Sequence, residues 1–97
     1  MIQSFLDETS ADLFRERNTR AARRIPGELW RVVQRKLKLL DAAARLDDLA
    51  VPAGNRLERL KGQKSTRRSI RVNDQYRVTF RWEGQYAEEV RVEDDHA

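Results

Sequence analysis

Basic side chains dominate the residues of this sequence that could do chemistry, and a single histidine, His96, stands apart from them. Imidazole is the one side chain whose unperturbed pKa lies near neutrality, so His96 is suited to giving or taking a proton. One histidine and no cysteine leave no disulfide and no thiolate zinc site. They also argue against a histidine-built metal centre or a Ser-His-Asp triad. No cofactor or metal is expected.

The cations are unevenly placed. Residues 1 to 55 carry ten basic and eight acidic side chains, residues 56 to 81 nine and two, and residues 82 to 97 one and six; the segments net +2, +7 and −5. A short segment at +7 is an electrostatic footprint for a polyanion, because Lys and Arg contacts to phosphates release counterions. The acidic segment that follows could equally neutralise it as a solvated face.

Periodicity gives the elements that must position these groups. Met1 to Leu6 reads as an opening strand. Asp7, Thr9 and Ser10 offer N-caps for a short helix carrying Leu13 and Phe14. Arg20 to Arg24 is a basic linker, and Pro26-Gly27 opens the clearest helix, whose apolar stripe runs Leu29, Val33, Leu37, Leu40 and Ala44. Leu46 to Leu49 suggests an extra turn, and Val51 to Asn55 a loop. The period then changes to two, predicting strands at Leu57–Lys61, Arg67–Val72, Tyr76–Trp82 and Tyr86–Val92. In the third, Tyr76, Val78, Phe80 and Trp82 share one face, and Arg77, Thr79 and Arg81 the other. Helices followed by an antiparallel meander predict a two-layer α+β fold, with the N-terminal strand and helices on one face of the sheet. At 97 residues, 39% hydrophobic and 37% charged, the chain is read as one domain spanning residues 1–97 with a small core. Its opening residues lack a basic region followed by a long apolar run, so a cytoplasmic protein without signal peptide or membrane span is expected.

Register carries the argument to the site. A three-residue loop, Asn73 to Gln75, pairs Val72 with Tyr76 and Ile70 with Val78, keeping apolar residues together and setting Arg71 opposite Arg77. The same parity at a loop of Glu83 to Gln85 pairs Val78 with Val90 and puts Arg91 on the other side of Arg77. Three arginines in a row repel one another. They form either a phosphate site or a row neutralised by Glu89 and Glu93 as surface ion pairs. On this register, Arg77→Ala relieves repulsion and leaves stability unchanged or slightly raised.

The segments Leu57-Glu58-Arg59-Leu60-Lys61-Gly62, Arg68 to Phe80, and Glu93-Asp94-Asp95-His96 resemble, in this order, the HigB branch of the RelE/ParE toxin superfamily. Ile2-Gln3-Ser4-Phe5 and Leu40-Asp41-Ala42-Ala43 look like the same branch, so the resemblance covers nearly the whole chain. It implies a RelE-like fold and a toxin that cuts messenger RNA on the translating ribosome, monomeric when free and held inactive by a HigA-like helix-turn-helix antitoxin. Lys61, Arg71 and Arg77 match basic positions of the family's catalytic face, and Asp94 and His96 match its Asp-Tyr-His ending. Asp95 replaces the tyrosine, removing an aromatic that could stack on a base. Glu58 and Gln63-Lys64-Ser65 also depart from commoner members, which read His-Pro-Leu-Lys-Gly-Asp there.

Metal-free RNA cleavage needs a base for the ribose 2′-hydroxyl, cations for the pentavalent phosphorane, and an acid for the departing 5′-oxygen. His96 suits either proton-transfer role, with Asp94 orienting it or sharing the work; otherwise it is part of a frayed tail. Arg71 and Arg77 would clamp the scissile phosphate and Lys61 add charge stabilisation. Arg59, Lys64, Arg67 and Arg68 are candidate contacts to RNA or ribosome. Two other classes remain open: a ParE-like toxin that inhibits a topoisomerase by contact, and a non-catalytic RNA- or ribosome-binding module.

Overall fold

The computed structural model describes residues 1–61 and 66–95; the expectations placed on Lys64 and His96 fall outside the described residues. Asp7 caps the first helix, α1 (Glu8–Phe14), its carboxylate accepting a 2.8 Å hydrogen bond from the Ser10 backbone N–H. The second helix begins later than Pro26-Gly27 suggests: Gly27–Leu29 forms a 3-10 turn, and α2 spans Trp30–Ala42. The Trp30 indole fixes that junction by donating to the Ile25 carbonyl at 2.8 Å. Val33, Leu37 and Leu40 bury the apolar stripe as expected. The stripe does not reach Ala44, because the helix ends at Ala42 and the following extended residue turns Ala43 inward instead.

Four strands form one antiparallel sheet in chain order: β1 (Glu58–Arg59), β2 (Arg67–Arg71), β3 (Tyr76–Glu83) and β4 (Tyr86–Asp94). The helices cover the face carrying Ile70, Val78, Phe80, Val90 and Val92, giving the two-layer α+β architecture. The N-terminal segment is less than a full strand. It runs parallel beside β4 through two isolated bridges, Ile2 with Ala87 and Phe5 with Val90. Ser10 ties α1 to the same strand, its hydroxyl accepting from the Val92 N–H at 2.9 Å.

The β2–β3 register is the expected one: Ile70 opposes Val78, and Arg71 opposes Arg77. The Asn73 side chain organises the loop by accepting from the N–H groups of Gln75 (2.9 Å) and Tyr76 (2.7 Å). The β3–β4 register corrects the expectation twice. The hairpin loop has two residues, Gly84 and Gln85, with Gly84 at φ +60°, so Glu83 opposes Tyr86. Then a bulge intervenes: Thr79 pairs with Arg91 but Arg81 with Glu88, leaving Glu89 and Val90 opposite Phe80 alone. Glu89 takes φ +53° there. Val78 therefore opposes Val92 rather than Val90, and Glu93, not Arg91, lies across from Arg77. There is no row of three arginines.

Candidate functional site

A pocket of about 220 Å³ opens at the end of the sheet where β3 begins and β4 finishes, lined by Lys61, Arg77, Thr79, Glu93, Asp94 and Asp95 with Leu60 beside them. Three residues singled out in the sequence, Lys61, Arg77 and Asp94, thus come together from positions far apart in the chain. Strand alternation puts Arg77 and Thr79 on the face away from the helices, and the bulge brings Glu93 onto that face beside them.

Arg77 is held from behind. Its Nε donates to Ser69 Oγ at 2.8 Å, one Nη donates to the Arg56 carbonyl at 2.9 Å, and the Glu58 carboxylate lies 3.7 Å away. The side chain is only 12% exposed. Such a guanidinium keeps its charge and its direction, so it reaches an anion with little reorganisation. It also means that the expected stability-neutral loss of Arg77 does not follow: its neighbours supply acceptors, not two further repelling charges.

The pocket also has an acidic side. Thr79 donates its hydroxyl to Glu93, and Arg91 stands 3.8 Å from the Glu93 carboxylate. Asp94 accepts from the Gln75 amide at 3.0 Å. Two cations and three carboxylates therefore face one another across a small volume, a set able both to hold a phosphate from one side and to accept a proton on the other. Among the described residues, no cluster of His, Cys, Asp and Glu could hold a metal ion.

The other candidates are placed elsewhere. Arg71 does not line the pocket; it pairs with Asp74 across the β2–β3 turn. Arg67 shares the outer face but is 12% exposed and engaged with Thr79 and Glu89. Arg59 and Arg68 oppose each other on the face of Phe80 and Trp82, away from Arg77. Thr79 and Glu93 were readable as outer-face positions from alternation, whereas Ser69, Arg56 and Glu58 as the support of Arg77 were not. Among the described residues, no helix is long and apolar enough to cross a membrane.

Known proteins resemble this chain in sequence and in fold. The chain is 48% identical to toxin HigB-1 of Vibrio cholerae over 60 residues, which cover 62% of this chain and 63% of that protein. It is 40% identical to an uncharacterised protein of Haemophilus influenzae over 60 residues, covering 62% of this chain and 59% of the relative. The matched segment thus spans under two thirds of either relative. The crystal structure of a mutant of YafQ from E. coli superposes with a TM-score of 0.65 at 12% identity, covering 99% of this chain and 96% of that one, which speaks to the fold. A family model described as a RelE-like toxin of the type II toxin-antitoxin system HigB matches residues 3–96. That match runs through every element from the N-terminal segment to the end of β4, and by it the chain belongs to the HigB-like family of RelE-like toxins.

Proposed function

We propose that this protein is the toxin of a type II pair and acts as a ribosome-dependent endoribonuclease that cuts translated messenger RNA in the cytoplasm. The observation that carries the reading is the convergence of Lys61, Arg77 and Asp94 on one pocket beside the C-terminal end of β4. In this reading the scissile phosphate sits against Arg77 and Lys61, which stabilise the charge that builds on the phosphorane oxygens. A base takes the proton of the 2′-hydroxyl, and the 2′-oxygen attacks phosphorus. The P–O5′ bond breaks, leaving a cyclic phosphate, and the departing 5′-oxygen takes a proton from an acid. His96, two residues beyond Asp94, and the Asp94 carboxylate share these proton transfers. Arg59 and Arg68 hold RNA at a distance from the cut, Arg71 and Lys64 add to the attraction, and a HigA-like antitoxin restrains the activity.

The test is expression without a partner, together with messenger cleavage in a translating extract. Arrested growth and new RNA ends within the coding region are expected, with both suppressed by the antitoxin. Growth arrest without RNA ends, and with topoisomerase inhibition instead, would replace this reading by contact inhibition.

A further inference from the structure

At the opposite end of β3 from Arg77 lies a second cleft, about 290 Å³, lined by Arg59, Thr66, Arg68, Arg81, Trp82 and Glu83. Strand pairing sets Arg59 opposite Arg68, and Arg68 opposite Phe80, so both guanidinium groups share a face with Trp82. The helices bury Phe80 completely but leave Trp82 half-buried. Its ring meets Phe80 edge-on at 6.4 Å, which fixes its orientation.

Two side chains of this cleft lack a counterpart among the described residues. Arg68 has no acidic partner there; its guanidinium makes only a 3.4 Å contact to the Arg67 carbonyl, and the residue directly across from it is another cation, Arg59. No acceptor for the Trp82 indole N–H occurs either, whereas Trp30 has one in the Ile25 carbonyl. Glu83 does not supply the missing negative charge, because Arg81 already holds it at 2.9 Å and is itself shared with Glu88 and Glu89.

The geometry points to a nucleotide-binding cleft for single-stranded RNA, separate from the pocket at Arg77, in which a base stacks on Trp82 while Arg68 and Arg59 take the adjoining phosphates. A flat aromatic surface, an N–H donor at its rim and two opposed guanidinium groups match a nucleotide's π-face, base-edge acceptor and phosphate in one ligand. An acidic peptide would satisfy Arg68 and leave the indole without a stacking partner. The cleft deepens the nuclease reading, from which it takes RNA as the polyanion, but it does not depend on cutting.

The experiment therefore uses a 2′-O-methyl oligouridylate, which cannot be cleaved through its 2′-oxygen. The chain has two tryptophans, so Trp30→Phe, verified as folded by circular dichroism, leaves Trp82 as the only indole fluorophore. Saturable quenching of that fluorescence is expected. Binding of a labelled oligomer should weaken about tenfold in Trp82→Leu, the range of one lost base stack, and comparably in Arg68→Gln. If Trp82→Leu does not fold, Arg68→Gln decides alone, since its side chain is partly exposed and a polar replacement keeps it solvated. Absence of quenching, or unchanged affinity in Arg68→Gln, overturns the cleft. Quenching by polyglutamate and not by the oligomer also overturns it and assigns the surface to an acidic protein partner. Failure of the nuclease reading would show separately, as intact messenger in the extract with quenching preserved.

Discussion

The guanidinium of Arg67 reaches past β3 and donates a 2.7 Å hydrogen bond to the backbone carbonyl of Glu89, the residue at which β4 bulges. Glu89 sits at φ +53°, a conformation that costs a non-glycine residue about 1 kcal/mol or more. Its N–H donates to Ser4 Oγ at 2.9 Å, so the bulge is gripped from both sides, by the N-terminal segment and by a side chain of β2. The same Arg67 donates to Thr79 Oγ1 at 3.0 Å, the hydroxyl that in turn reaches Glu93 in the pocket.

Arg67→Met should therefore lower stability by about 2 kcal/mol, because charge-assisted bonds to a carbonyl and a hydroxyl are lost from a mostly buried side chain. Urea unfolding reads this directly. A midpoint equal to that of the wild type would show that the bulge holds without its arginine.

Arg77→Ala should abolish messenger cleavage and also reduce stability, by roughly 1–2 kcal/mol, since Ser69 Oγ and the Arg56 carbonyl lose their donor. Arg77→Lys keeps the charge but cannot reproduce the two-directional hold, so it should recover part of the stability and little activity. Denaturation and cleavage in a translating extract are measured side by side. Full activity in Arg77→Ala would remove this residue from the site.

For His96→Ala, unchanged melting temperature and cleavage slowed by roughly 10² are expected if its imidazole transfers a proton. Cleavage at the wild-type rate would leave proton transfer to the carboxylates at the pocket.

Lys36 gives a dependence on pH. Burial, and then the nearby charges of Arg35 and Arg71, hold its ammonium pKa below the ordinary value of 10.5, while its Nζ donates to Asn55. In the window just below 10.5 the unfolded chain binds the proton more tightly than the folded one, so the Lys36 contribution to stability rises with pH through that window. The stability difference between wild type and Lys36→Met should shift in favour of wild type as pH climbs toward 10.5. Parallel pH profiles from urea unfolding would refute this.

The legible parts of the molecule were those where a repeating pattern meets a single buried face. Val33, Leu37 and Leu40 declared α2, and the alternation from Tyr76 to Trp82 declared β3 with its outward Arg77. The β2–β3 register followed because Asn73 at the loop and the apolar pairs at Ile70 and Val78 agree. The β4 register was hidden because its determinant is not local. A bulge at a glutamate has no sequence mark, and it is Arg67, far earlier in the chain, that holds it. The pocket had the same split character. Arg77 was legible from strand alternation, Lys61 and Asp94 only through family resemblance, while the acidic partner opposite Arg77 had to await the true register.

The pairing of the first residues with the last strand sets the order in which the molecule can come into being. Gln3 and Leu6 donate to the carbonyls of Ala87 and Val90, and Ser10 waits for Val92. While the chain is still being synthesised, its opening segment has nothing to dock on, and the side of the pocket built by β4 does not exist. Contacts so distant in sequence close late and slowly. The docking of the opening segment and the closure of the pocket are therefore one late event, which waits until Val92 has left the exit tunnel.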